Sequence, residues 1–267
     1  MLATVPRIDE LDLVRTEIDG LHFWALRGDF AQYYATAVPY EAHVLAPLLK
    51  DAAHARRVVD VGCNIGLIAL PVARAMPRGG KVYCLDISQR NCRLLIANAR
   101  HNGLDNIIVY PVGGGARFDG FPVALRPGTL QLLCSQRADT LRDTEIAFTV
   151  PLDALFADGE RIEILKIDTD GYEYPVLQGA QRLLASHRPI VYLEYSDAAS
   201  IVQTGIRGSL IIDLLERNGY QPTILHRDEP PQDIPAGTDL LVALNEMWLH
   251  DWKAGITHLD IRWHVPQ

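Results

Sequence analysis

Apolar runs of strand length and helix length alternate along most of this chain, and glycine, proline or an acid marks nearly every change. Residues 57–61 form a short apolar run of strand type. Residues 65–76 carry a helical pattern that stops at Pro77 and Gly79-Gly80. Residues 81–85 predict a second strand ending at Asp86. Residues 88–102 predict a helix with Ser88 as N-cap and Gly103 as its stop. Residues 106–112 predict a third strand. Such alternation implies parallel pairing in an α/β fold.

Residues 113–151 break the rhythm. They open with Gly113-Gly114-Gly115 and hold two strand-like runs, 129–134 and 145–150, which read as an antiparallel insertion. Alternation then returns. Strands are expected at 161–167 and 189–193, ending in Asp168 and Glu194, and helices at 174–186 and 208–218. Two late strands are expected at 220–225 and 240–245, with a Pro-rich acidic loop between them. Residues 1–50 read as an N-terminal cap. It comprises a hairpin around Asp19-Gly20, an aromatic group (Phe23, Trp24, Phe30, Tyr33, Tyr34, Tyr40) and a helix from Glu41 to Lys50. Residues 51–267 form the main domain with its insertion.

The chain has 267 residues, 48% hydrophobic and 22% charged, so it can bury a sizeable core. A formal net charge of −8 argues against nucleic acid or an anionic membrane as the main partner. No apolar run reaches membrane-spanning length, and the N-terminus lacks a signal-peptide pattern. Cys63, Cys84, Cys92 and Cys134 form no metal or disulfide spacing, so they read as reduced thiols of a cytoplasmic protein.

The chemistry is concentrated in Asp60-Val61-Gly62-Cys63-Asn64-Ile65-Gly66. Gly62 and Gly66 suit a strand-to-helix turn that holds a ligand against bare backbone. A dinucleotide turn leaves that place uncharged for pyrophosphate. Asp60 would repel phosphate and suits a cationic cofactor such as S-adenosylmethionine (SAM). Asp86, at the next strand end, stands where an acid accepts ribose hydroxyls. With Asp168 and Glu194, four acids end four strands, on the side where open sheets bind ligands.

These motifs resemble the FkbM-type family of SAM-dependent methyltransferases, over roughly residues 40–245. The loop at 60–66 is similar to the family's D-x-G-x-N-x-G. Residues 98–106 resemble its second-helix exit. Leu165-Lys166-Ile167-Asp168-Thr169-Asp170-Gly171-Tyr172-Glu173, with Val176-Leu177-Gln178-Gly179-Ala180, resembles its K-I-D-x-E-G-x-E and V-L-x-G-A signature. Residues 189–194 are similar to its fifth strand. Two positions depart: Asp86-Ile87 replaces Glu-Pro, and Asp170 replaces Glu.

The resemblance implies a Rossmann-like class I methyltransferase fold, a seven-stranded mostly parallel sheet with helices on both faces. It implies methyl transfer from SAM to a hydroxyl of a small acceptor: a sugar, a glycan or a secondary metabolite. The cofactor set is then Glu41, Asp60, Gly62, Asn64, Gly66, Asp86 and Asp168, with adenine near Val112 and Gly113. The catalytic set is Asp168, Glu194 and Lys166; either carboxylate, or Lys166 with a lowered pKa, assists deprotonation. Magnesium on Asp168, Asp170 and Glu194 is a secondary expectation. No histidine metal site is expected, and His101 and His187 read as structural. The expected partner is a small acceptor, with a homodimer as the assembly considered. A nicotinamide-dependent oxidoreductase, an N-methyltransferase and a non-catalytic SAM-fold module are the alternatives.

Overall fold

The computed structural model describes residues 12–28, 40–124, 144–235, 238–253 and 258–266. The chain opens with a hairpin, β1 (Leu13–Ile18) and β2 (Leu21–Leu26), and continues through α1 (Ala42–Ala52) into β3 (Arg57–Val61), α2 (Ala69–Ala75), β4 (Lys81–Leu85), α3 (Gln89–His101) and β5 (Ile107–Tyr110). The insertion gives β6 (Gly113–Gly114), β7 (Asp119–Ala124) and β8 (Thr144–Val150). Then come α4 (Leu152–Phe156), β9 (Ile164–Ile167), α5 (Glu173–Gln178), α6 (Gln181–His187), β10 (Ile190–Tyr195), α7 (Asp197–Thr204) and α8 (Ser209–Arg217). Last are β11 (Gln221–Leu225), β12 (Gln232–Asp233), α9 (Leu240–Lys253) and β13 (Leu259–His264).

Among the described residues the main sheet has eight strands, in the order β12-β11-β13-β10-β9-β3-β4-β5. The five from β5 to β10 are parallel, and β13 runs antiparallel to both its neighbours. This is the expected seven-stranded mostly parallel sheet with a two-residue edge strand added. Strand order reverses between β3 and β9, because the chain goes out through β4 and β5 before returning to β9. That switch point is where an open α/β sheet opens a crevice for ligands.

Both faces are covered, which is why the central strands read as near-continuous apolar runs. One core packs α4, α5, α6, α8 and α9 against Val59, Val61, Leu165, Ile167 and Leu193. The other packs the hairpin, α1, α2 and α3 against Val58, Val82, Cys84 and Ile164. Strand alternation places Asp60, Lys166, Tyr192, Glu194, Asp260 and Arg262 on this second face.

Several expectations need correction. Residues 240–245 are not a strand but the start of α9, and the last strand of the sheet is β13, read from sequence as nothing regular. The short apolar run Leu240-Leu241-Val242-Ala243-Leu244 does not distinguish strand from helix by periodicity. The helix expected at 174–186 is two helices, because Gly179 lies against Gly115, where a Cβ would come within 1.9 Å of the carbonyl oxygen. The helix expected from residue 65 begins at Ala69, since Asn64 and Gly66 hold φ of 49° and 95°. The insertion contains β7, which was not expected, and its sheet is mixed: β7 pairs antiparallel and β6 parallel with β8. The run at 129–134, Cys134, and the aromatics Phe30, Tyr33 and Tyr34 lie outside the described residues. Phe23 is core, while Trp24 meets His101 edge-on at 6.3 Å. Cys63, Cys84 and Cys92 are buried free thiols. His187 is structural as expected, accepting the Ile162 amide at 3.1 Å. Among the described residues no single helix is long and apolar enough to cross a membrane.

Candidate active site at the strand switch point

The glycine loop leaves β3 and folds back onto its neighbours. Gly62 holds φ 83°, and a Cβ there would fall 1.8 Å from the Asp168 carbonyl oxygen. A Cβ at Gly66 would meet Leu70 at 2.4 Å. Both glycines are therefore bare because the protein's own atoms fill the space, and not only because a ligand needs it. Asn64 sits in the left-handed region, where its side-chain oxygen accepts the Ile65 amide at 2.8 Å.

Asp86 ties this loop to the second strand. One carboxylate oxygen accepts the Asn64 amide and the other the Ser88 amide, each at 2.8 Å. Burial nevertheless pushes its pKa up to about 6, with those amides opposing the shift. Val112 and Gly113 follow β5, and a Cβ on Gly113 would meet Ile87 at 2.5 Å. The expected ribose and adenine positions thus lie at adjoining strand ends.

The centre of the site is an ion-paired array. The Lys166 ammonium lies 3.0 Å from Asp168 Oδ2 and 3.6 Å from Asp60 Oδ1. Burial alone would lower the Lys166 pKa, but Asp168, Asp60 and Glu41 outweigh it and raise it. Lys166 is therefore a fixed cation, and the base role expected for it does not fit. Burial would raise Asp168, yet Lys166 holds it below the ordinary carboxylate range. Asp60 is 2% exposed, and among the described residues neither of its oxygens has a hydrogen-bond partner. Burial raises its pKa against the pull of Lys166.

Glu194 and Glu41 face the same group. Burial, then the charges of Asp168 and Asp260, push Glu194 well above its ordinary value. Beside Asp168 its neutral form is thus favoured over its anion. Glu41, in a left-handed conformation before α1, is raised to about 7 by burial and by Asp168. Glu41, Lys166, Asp168, Glu194 and Asp260 line one cleft with Val44, Ile167, Tyr192 and Leu193. Glu173 does not face it. Its Oε1 accepts the Thr169 and Gly171 amides and the Thr169 hydroxyl, each at 3.0 Å, and so clamps the loop after β9.

The magnesium expectation finds no support. Among the described residues no group of three His, Cys, Asp or Glu side chains is disposed to hold a metal ion. Asp168 already meets the cation of Lys166, and Asp170 is an exposed turn residue at φ 52°.

Four residues were missed in the sequence. Asp260 stands directly opposite Glu194 across the β10–β13 pairing. His43 of α1 contacts its Oδ2 at 2.7 Å. His258 lies 3.7 Å from Glu194 and 3.6 Å from Asp260, and Arg227 lies 2.9 Å from its Nε2. The available signal was the alternation of Leu259-Asp260-Ile261-Arg262-Trp263-His264, which is that of a half-buried strand.

Residues 60–222 match the model of the methyltransferase FkbM domain. No curated protein matches the chain. Among solved structures, the methyltransferase FkbM of Methylobacillus flagellatus KT is 20% identical with TM-score 0.46; the match covers 64% of this chain and 40% of that one. An O-methyltransferase of Bacillus cereus in complex with SAH is 16% identical with TM-score 0.47, over 73% and 81% of the two chains. M. jannaschii TYW2 in complex with AdoMet is 12% identical with TM-score 0.46, over 96% and 88%.

Proposed function

We propose that this chain, which belongs to the FkbM methyltransferase domain family, binds SAM along Asp60–Gly66 and methylates a hydroxyl of a small acceptor. The carrying observation is the carboxylate of Asp60, buried beneath the loop with its charge met by Lys166 at 3.6 Å but with no hydrogen-bond partner among the described residues. A buried acid at this turn fits a cofactor that brings cationic groups, and disfavours one that brings phosphate. The cofactor would supply an activated methyl group. Asp86 would accept its ribose, and Val112 and Gly113 would flank its adenine. Glu41 and Asp168 lie where a cationic amino group is stabilised.

The acceptor would enter the cleft bounded by Asp168, Glu194 and Asp260. Lys166 fixes Asp168 as an anion, and an anion held by a buried ammonium can accept a hydrogen bond from a hydroxyl beside the attacking one and so orient the acceptor. Glu194, whose neutral form burial and Asp168 favour, can donate to a second acceptor oxygen. A sugar, glycan or hydroxylated secondary metabolite presents such neighbouring oxygens. Cytoplasmic location goes with this reading.

Calorimetric titration with S-adenosylhomocysteine (SAH), beside an Asp60→Ala variant, tests the cofactor. Micromolar binding that the variant loses supports the reading, and no binding by the wild type removes it. Transfer of label from methyl-tritiated SAM across a panel of monosaccharides and polyols then tests the hydroxyl assignment.

A further inference from the structure

Methyl transfer to a hydroxyl needs somewhere for the proton to go, and the three residues expected to take it are unsuited. Lys166 is already an ammonium. Asp168 is a weakened base, because Lys166 stabilises its anion. Burial and the charges of Asp168 and Asp260 disfavour the anion that Glu194 would need to act as a base. His258 remains, immediately before β13 and outside the residues matched by the family model. Its ring is wedged between two carboxylates, 3.7 Å from Glu194 through Nδ1 and 3.6 Å from Asp260 through Nε2. Its side chain is 23% exposed, so a proton placed there has a path to water.

Arg227 fixes the tautomer. A guanidinium can only donate, so Nε2, 2.9 Å from Arg227, must present its lone pair. Nδ1 then carries the hydrogen and points toward Glu194. Asp260 is held by His43 at 2.7 Å. Among the described residues Arg227 meets no carboxylate, so its strongest contact is that lone pair.

Resting on the O-methylation reading, we propose that His258 takes the proton of the acceptor hydroxyl, and that Arg227 occupies its base nitrogen until the acceptor displaces it. The acceptor oxygen forms its bond to the methyl carbon as the carbon–sulfur bond breaks, and that electron pair stays on sulfur. The hydroxyl proton passes to Nε2 of His258. The imidazolium lies between Glu194 and Asp260, and the negative charge of Asp260, 3.6 Å from Nε2, balances it once Arg227 is released.

Nitrogen-15 correlation NMR of the histidine rings of the full chain, with His258→Gln for assignment, reads the resting state without any acceptor. The expected result is a neutral ring with hydrogen on Nδ1. Arg227→Gln should shift the Nε2 signal and speed carbethoxylation of His258 by diethyl pyrocarbonate about tenfold. Hydrogen on Nε2, or unchanged reactivity in Arg227→Gln, overturns the proposal. In methyl transfer, His258→Gln should lower kcat about 100-fold, the scale of one general base, and abolish the acid limb of the pH profile of kcat/KM. SAH affinity should stay unchanged. Wild-type kcat in His258→Gln overturns the proposal while leaving the methyltransferase reading intact. Failure to bind SAH removes that reading, and the NMR arm still decides the state of His258.

Discussion

Asn98 holds Trp24 as a neighbouring strand would. Its side-chain oxygen accepts the Trp24 amide at 2.7 Å, and its nitrogen donates to the Trp24 carbonyl at 3.3 Å. The same nitrogen donates to the Ile65 carbonyl at 3.0 Å, so one fully buried side chain joins the hairpin to the glycine loop. Asn102, one helical turn later, repeats the clasp on His22 but does not reach the loop. Asn98→Ala strands buried backbone groups and should cost about 2–4 kcal/mol in urea unfolding. It should also weaken SAH binding. Asn102→Ala should cost less stability and leave SAH affinity alone. Equal loss of affinity in the two variants would show that the hairpin, and not the loop contact, governs the site.

Gly62 and Gly79 have nearly the same backbone, φ 83° and 82°, but different surroundings. A Cβ at Gly79 meets nothing within 4 Å, whereas one at Gly62 would strike the Asp168 carbonyl. Gly79→Ala should therefore cost only the left-handed strain, about 1–2 kcal/mol. Gly62→Ala adds a backbone clash and should cost at least about 2 kcal/mol more, with SAH binding lost. Thermal unfolding and titration of both variants separate strain from clash. Equal costs would mean the loop is free to move off β9.

The comparison shows what a sequence can and cannot carry. Strands β3 and β4 and the cap of α3 were legible because they are locally determined. Ser88 caps its helix through the Asn91 amide at 3.2 Å, as the pattern implied. The acids at strand ends were legible for the same reason. Their protonation states were not, because these depend on which charges the sheet order brings together. Lys166 reads as a reactive lysine until β3 and β9 pair and set Asp60 beside it. His258 and Asp260 were invisible as site residues, because only the antiparallel insertion of β13 between β10 and β11 brings them to Glu194.

Glu173 gives a pH prediction with a definite sign. Burial raises its pKa from 4.5 to about 7 in the folded protein, with the loop amides opposing. The folded state thus binds a proton more tightly than the unfolded chain. The stability this proton contributes is complete below pH about 4.5 and is lost as pH rises through about 7. Glutamine keeps an acceptor oxygen for the loop amides and has no charge to bury. Glu173→Gln should therefore flatten the stability profile between those pH values and gain about 1–3 kcal/mol at pH 8. A variant less stable than wild type at pH 8 would mean that the carboxylate's charge, and not its shape, holds the loop.

Lys166 lies between Asp60 and Asp168, at 3.6 Å and 3.0 Å. Removing it leaves two carboxylates in the core without their counter-charge, so Lys166→Met should cost about 3–5 kcal/mol. Asp60→Asn alone removes an acid whose oxygens have no hydrogen-bond partner among the described residues. Its cost should be small, under about 1 kcal/mol, because the ammonium keeps Asp168. In the double variant Asp60→Asn/Lys166→Met only Asp168 remains uncompensated, and part of the loss should return. A double-mutant cycle in urea should thus give a coupling of about 1–3 kcal/mol between positions 60 and 166. Additive losses would mean that the 3.6 Å contact carries no energy and that Lys166 serves Asp168 alone.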